Sequence, residues 1–355
     1  MRGMSSPRRR SWLVRAALVG AGLALALLAL EAWARLANPF GICLYPDNIR
    51  YVNAAIELPP GAQHPLGRLF EHRKSLELSF TEFALHTDAH GLRVPERGAG
   101  PRVPRGTERE RALRVLCLGD SVTFAWGIEE RDGWVRVLER TARARDGRAL
   151  ECLNAGHPKY NTIQEADWLA AHGDVLEPDA VVLTYVVNDV EDQYAVYERL
   201  MAESAAAAQT PPPWSARAQQ WLRVRLHGID GLLTLQRALR DADTGAQRGP
   251  GAVESLPEYE RGWPGSRDAL ERIRGWCEAR GLPLLVFDAS VPRIGALRAW
   301  CEERGVRWTD LCFTPAEWEQ GVVISKADSH FNARGNAAMA AKAAAALRAA
   351  GLLAD

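Results

Sequence analysis

Lysine is scarce in this chain of 355 residues: only Lys74, Lys159, Lys326 and Lys342 stand among its 44 basic residues, and the rest are arginine. With abundant alanine and 30 glycines, that preference reads as coding bias. Neither sign of charge is in excess, since 44 acidic residues bring the net charge to +0. Nothing therefore marks a nucleic-acid binder. Cysteine is sparse too; Cys43, Cys117, Cys152, Cys277, Cys301 and Cys312 are too few in this length for a disulfide scaffold. No glycine-rich phosphate loop appears, because Gly119-Asp120-Ser121 lacks the lysine such a loop needs. No pair of carboxylates has the look of a glycosidase acid and base. What is present, 47% hydrophobic and 25% charged residues, excludes collagen-like and wholly disordered chains and allows one large domain or two smaller ones.

The N-terminus reads as an export or anchoring segment. Arg8-Arg9-Arg10 precede an uncharged apolar run from Ala16 to Leu30. That run alone spans only ~22 Å of helix, short of the ~30 Å hydrocarbon thickness. Taken from Trp12 to Trp33, the segment reaches ~33 Å, with tryptophan at both interfaces, Arg15 snorkelling inward and Glu31 at the far side. A cleaved signal peptide also fits, with Ala32-Trp33-Ala34 as an A-x-A-like cleavage site; so, less well, does a buried cytoplasmic helix. Arg9-Arg10-Ser11-Trp12-Leu13 resembles a twin-arginine signal. Anchor and signal agree that the arginines stay inside, so everything after residue 35 lies outside the cytoplasm, periplasmic, at the cell surface or secreted. That compartment permits disulfides. Cys117 and Cys152 sit in apolar strand-like runs and read as buried thiols, while pairing among Cys43, Cys277, Cys301 and Cys312 stays open.

Residues 1–35 thus form the anchor or signal, and 36–110 an irregular extension with a strand at Leu76–Leu85. From 111 to 355 strand and helix alternate. Strands are expected at Arg114–Leu118, Ala149–Leu153, Asp179–Val187, Pro283–Phe287 and Val306–Leu311. Helices are expected at Gly133–Ala144, Thr162–His172 and Ala333–Ala350. This rhythm predicts an α/β fold, three layers with a central, mostly parallel five-stranded sheet. It breaks at about 191–262, where helical patterns over Gln193–Ala207 and Ser215–Arg240 flank Thr210-Pro211-Pro212-Pro213. A connection of that length far exceeds an ordinary βα loop. It reads as a helical insertion, placed at a strand's carboxyl end as a lid or substrate wall would be.

In parallel α/β sheets, sites form beyond the carboxyl ends of the strands. The first strand ends in Gly119-Asp120-Ser121-Val122, where a tight turn can expose a hydroxyl. The second ends at Gly156, whose missing Cβ lets an N–H approach a ligand. The third ends in Val187-Asn188-Asp189, where an Asn amide can donate to a developing oxyanion. Asp328-Ser329-His330-Phe331-Asn332 precedes the last helix, and a nearby carboxylate can hold an imidazole in the tautomer a base requires. Each piece alone is a commonplace turn or cap; the order of all four at strand ends is not.

With these residues in hand, the chain resembles the SGNH hydrolases, the GDSL esterase/lipase superfamily. Val115–Thr123 resembles the first of that family's four blocks, Leu153–Thr162 the second, Tyr185–Asp189 the third, and Asp328–Asn332 with Gly335 the fourth. The likeness spans roughly residues 111–350 without the insertion, and Thr87–Arg93 is similar to the lead-in of exported bacterial members. It implies a flavodoxin-like SGNH fold and acyl-ester hydrolysis, with Ser121 as nucleophile, His330 as base and then acid, and Asp328 orienting it. The Ser121 and Gly156 N–H groups and the Asn188 side chain are the implied oxyanion donors. Two departures stand out. Val186 occupies the usual glycine of the third block, and the acid lies two residues before His330, where Ala327 fills the commoner position. The resemblance implies no cofactor and an ester substrate. Acyl groups of envelope polysaccharide or lipid suit an extracytoplasmic location. O-acyl transfer to a sugar hydroxyl with the same residues, and an inactive binding or scaffold role, are the alternatives.

No metal site emerges: His86 and His90 have H-x-x-x-H spacing but fall at an expected strand end. His157, next to Gly156, is a candidate lining residue. Trp126 suits either a sugar platform or, better, ordinary core.

Overall fold

The computed structural model describes residues 7–37, 47–48, 50–57, 70–101, 112–190, 214–229, 231–233, 236, 257–291, 293–324 and 328–354. Helix α1 (Pro7–Ala37) carries the apolar N-terminal run. The extension supplies β1 (Ile56–Glu57), β2 (Glu71–His72), β3 (Glu77–Ser79), β4 (Ala84–Thr87) and β5 (Arg93–Val94). Then come β6 (Ala112–Gly119), the single turn α2 (Ser121–Phe124), α3 (Trp134–Thr141), β7 (Ala149–Gly156), α4 (Thr162–Leu176) and β8 (Ala180–Tyr185). Helices α5 (Trp214–Arg225) and α6 (Pro257–Glu278) precede β9 (Leu284–Asp288), α7 (Gly295–Arg304), β10 (Arg307–Asp310), α8 (Pro315–Glu319) and α9 (Ala333–Ala349).

One eight-stranded sheet organises the molecule, in the order β10-β9-β8-β6-β7-β5-β4-β3. Its five strands β6 to β10 are parallel, as the alternating pattern predicts, and β5, β4 and β3 add to the β7 edge antiparallel. Among the parallel strands the winding reverses at β6, which lies between β7 and β8. Ligand sites form at such a switch point.

Alternation along the strands explains the layers. Val115 and Cys117 of β6 face one core with Trp134, Leu138, Met339, Ala343 and Leu347 of α3 and α9. Leu116 and Leu118 face the other, with Trp168, Leu169, Leu270, Ile273, Leu297 and Trp300 of α4, α6 and α7. A strand buried on both faces needs such a continuous apolar run. A third cluster binds the extension to the domain: Tyr51, Phe80, Phe83 and Leu85 pack on Phe124 and Trp126, just after Ser121.

Several boundaries differ from expectation. The strand expected at Leu76–Leu85 is a hairpin: β3 turns back into β4, Leu78 faces Leu85, and the stacked Phe80 and Phe83 rings, 4.7 Å apart, close the turn. Helix α3 is shorter than Gly133–Ala144, because Arg143 and Ala144 leave the helix for bridges to Ala149 and Leu353. Helix α4 continues to Leu176, and α6 begins at Pro257, inside the expected insertion. The helix expected at Gln193–Ala207 lies outside the described residues. Of Ser215–Arg240, the helix α5 covers Trp214–Arg225. Cys117, Cys152, Cys277, Cys301 and Cys312 are free thiols, the first four buried; Cys43 lies outside the described residues.

Candidate active site

The β6 and β7 ends are in register at Gly119↔Gly156, and both positions demand glycine. Gly119 has φ +149, and a Cβ there would sit 2.2 Å from Thr123 Oγ1. A Cβ on Gly156 would sit 2.2 Å from the Phe124 amide nitrogen, so α2 crosses directly over the end of β7. Asp120 caps that turn: its Oδ1 accepts the Val122 N–H at 2.8 Å, and its Oδ2 lies 3.2 Å from Ser121 Oγ. Ser121 is thereby held at the mouth of the sheet with its hydroxyl outward.

His330 reaches the same point from the other end of the chain. Its Nε2 lies 2.9 Å from Ser121 Oγ, and its Nδ1 lies 2.6 Å from Asp328 Oδ1. Asp328, itself buried, also accepts the His330 backbone N–H at 3.0 Å, which fixes the loop on which the ring sits. Asn332 secures that loop. Its Oδ1 accepts from Gly335 at the start of α9, and its Nδ2 donates to the Gly321 and Val323 carbonyls, both at 2.8 Å. Burial disfavours charge on the His330 ring, but the hydrogen bond and charge of Asp328, with the charge of Asp120, outweigh it and raise the imidazole above its ordinary value. Neutral, with Nδ1–H directed to Asp328, the ring can take a proton from Ser121. Charged, it donates from Nε2 to Oγ, and the hydroxyl turns to Asp120.

The three implied oxyanion donors are not equally free. The Ser121 N–H meets no acceptor among the described residues. The Gly156 N–H donates to Asn154 Oδ1 at 3.0 Å. The Asn188 amide donates to the Tyr160 carbonyl at 3.0 Å and hydrogen-bonds the Asp120 carboxylate. Asn188 lies in a short 3-10 turn, Val187–Val190, directly after β8. Val186, which replaces the usual glycine, is buried, and its N–H donates to Asp189 Oδ2 at 2.6 Å.

A buried acidic group under the nucleophile escaped the sequence reading. Asp120, Asp189 and Glu165 are all buried. Burial, then the charge of Asp120, pushes Asp189 far above the usual carboxylate range. Burial and the charges of Asp189 and Asp120 do the same to Glu165. Thr162 Oγ1 donates to Asp189 Oδ1 at 2.9 Å. The Asn-Asp pair after β8 was the available signal for Asp189; Glu165, one turn into α4, left none.

Among the described residues, His157 makes no contact with Ser121, Asn188 or His330. Its ring is buried between His72, at 4.0 Å, and Tyr160, at 4.4 Å between centroids. Burial depresses His157 to about 4 and His72 well below its ordinary value. Trp126 is core, in edge contact with Tyr51 and Phe83. Among the described residues no group of three His, Cys, Asp or Glu side chains could hold a metal ion.

With this geometry established, comparison with known proteins is decisive at the level of family. The profile of the GDSL-like lipase/acylhydrolase family matches residues 117–338, more than half of the sequence. The chain belongs to this family. Its sequence resemblance to SGNH hydrolases is thus borne out, and so is an ester-hydrolase class of activity. Among solved structures, the chain is similar to the psychrotrophic esterase EstA of a Pseudoalteromonas species (12% identity, 67% of this chain and 97% of that one, TM-score 0.41). It is also similar to a lipase/acylhydrolase of Enterococcus faecalis (12% identity, 67% and 96%, TM-score 0.38). A third is a two-domain esterase active on acetylated mannans (13% identity, 69% and 52%, TM-score 0.35). No curated protein matches the chain.

Proposed function

We infer that the protein is a serine esterase that works outside the cytoplasm on carboxylic esters and is held to the membrane by α1. The observation that carries the reading is the unbroken hydrogen-bond chain from Asp328 through His330 to Ser121. Ser121 Oγ attacks the ester carbonyl carbon while His330 Nε2 takes its proton. The tetrahedral oxyanion is met by the Ser121 N–H, with the Gly156 N–H and the Asn188 amide turning from Asn154, Tyr160 and Asp120 toward it. His330 then returns the proton to the leaving alkoxide, and the C–O bond to the alcohol breaks. Water repeats the sequence on the acyl-enzyme, losing its proton to His330 and releasing the acid and free Ser121. Asp328 keeps the ring oriented throughout.

Removing one oxyanion donor typically costs ~2.7–4 kcal/mol in the transition state. Asn188→Ala is therefore expected to lower kcat by about 10²–10³, with a smaller change in KM. The substrate class follows from location: residues 36–110 and the domain beyond them would face envelope material, so acyl groups on envelope polysaccharide or lipid are the proposed esters. Acetate release from acetylated glycans, with p-nitrophenyl esters as controls, tests this. Activity confined to long-chain esters contradicts the glycan substrate.

A further inference from the structure

The outer end of α1 is not free. The stretch Ser11–Ala37 is long and apolar enough to cross a membrane, with mean hydropathy 2.2 and none of its most apolar window buried. Yet Glu31, near its end, is tied to the insertion. Glu31 Oε1 accepts the His227 N–H at 3.0 Å and Oε2 accepts the Gly228 N–H at 2.9 Å. Arg35 holds Glu31 at 2.7 Å and donates from Nη2 to the Arg225 carbonyl at 2.8 Å. Ala34, between them, is buried. Measured along the helix, Glu31 lies ~35 Å from Arg8, beyond a ~30 Å hydrocarbon core. With α1 spanning the bilayer from Arg8, whatever Glu31 binds would lie in the outer headgroup layer.

What it binds is the end of α5. Along that helix Trp214 and Trp221 are seven residues apart, and Arg225 follows four later, which puts all three on one stripe. Trp214 is 76% exposed and Trp221 54% exposed. The Arg225 guanidinium lies 4.6 Å from the centre of the Trp221 ring. Tryptophan is enriched at the membrane–water boundary, where its apolar body and N–H are both satisfied, and arginine pairs with phosphate there. Two exposed indoles in water otherwise mark an interaction surface left bare. Along α5, Trp221 lies ~6 Å and Trp214 ~17 Å from Arg225, whose carbonyl Arg35 of α1 holds.

We propose that α5 is an interfacial helix whose Trp214–Trp221–Arg225 stripe rests in the headgroup layer of the bilayer that α1 crosses, laying the catalytic domain against the membrane. The inference rests on α1 being an anchor. Because α5 belongs to the insertion that follows the Asn188 turn, the wall of the site would then lie along the lipid surface.

The test uses the full chain in vesicles of phosphatidylethanolamine and phosphatidylglycerol, with lipids brominated either near the headgroup or near the chain end. The emission lost in the Trp214→Phe, Trp221→Phe double variant belongs to those two rings. That emission is expected to be quenched by the headgroup-proximal bromines and much less by the deep ones. The single variants, read the same way, keep the result secure if the double variant folds poorly. Alkaline extraction of the same vesicles reports on α1 separately. A chain that resists extraction while Trp214 and Trp221 stay unquenched overturns the interfacial helix and leaves the anchor standing, as a protein partner for the stripe would. A chain that is extracted overturns both.

Discussion

Arg93 comes from the extension yet holds the backbone just past the nucleophile, and Arg93→Met isolates that link. The guanidinium is fully buried and donates to the Phe124, Ala125 and Ile128 carbonyls, the last two at 2.8 and 2.7 Å. It also lies 4.2 Å from the centre of the Phe124 ring. Methionine fills a similar volume but donates nothing, so the buried Phe124 and Ala125 carbonyls and the half-buried Ile128 carbonyl lose their partner at about 1–3 kcal/mol each. Against this, burial pushes the Arg93 guanidinium down from 12.5 to about 10, a cost of roughly 3 kcal/mol for keeping the charge inside. Methionine removes that cost and keeps part of the packing on Phe124. The carbonyl loss is the larger, and a net destabilisation of about 3 kcal/mol is expected. For a domain of this size that lowers the melting midpoint by roughly 6–12 °C. Thermal unfolding followed by tryptophan fluorescence, variant against parent in the same detergent, measures it. A shift under ~2 °C would refute the idea that the extension clamps the Ser121 loop through Arg93.

The His330 environment sets the acid limb of the activity. Burial lowers its affinity for a proton, and Asp328 with Asp120 raises it by more, so the ring titrates above 6.5. Only the neutral ring accepts the Ser121 proton, so kcat/KM is expected to fall as pH drops through a midpoint above 6.5; a midpoint below that value contradicts the assigned contacts. Stability has its own acid dependence in the stacked His72 and His157. Both imidazoles are held below 6.5 in the fold, His157 at about 4, amid Tyr51, Tyr160, Glu71 and His172. The unfolded chain therefore binds more protons below 6.5. Their contribution is complete above that pH and is lost as pH falls toward 4, at roughly 3 kcal/mol for His157. His157→Phe keeps a ring in the stack and should flatten the fall in melting midpoint between those values; an unchanged slope would contradict the buried, neutral pair.

The parts legible in the sequence were those written locally. Runs such as Val115–Leu118 and Ala180–Leu183 are apolar at every position because both faces are covered, and each lies just ahead of a functional residue. Ser121, Gly156, Asn188 and His330 could be placed at strand or loop ends for that reason. What escaped depends on contacts between distant segments. The hairpin at Phe80–Phe83 reads as continuous strand until the two rings are seen to stack. Glu165 meets Asp189 and Asp120 only because α4 packs beside β6 and the turn that follows β8. Asn154, an unremarkable strand residue, takes the Gly156 N–H. Arg93 ends the Thr87–Arg93 lead-in, and nothing local to it shows the three carbonyls that surround it.

Ser121 owes its reactivity to the one imidazole, His330, that touches it. Incubating the folded full-length protein with a fluorophosphonate, followed by mass spectrometry of the peptides, asks this directly. A phosphonyl adduct on Ser121, absent from Ser121→Ala and strongly reduced in His330→Ala, is the predicted result. Folded protein that takes up no label at Ser121, or labels equally when His330 is removed, contradicts it.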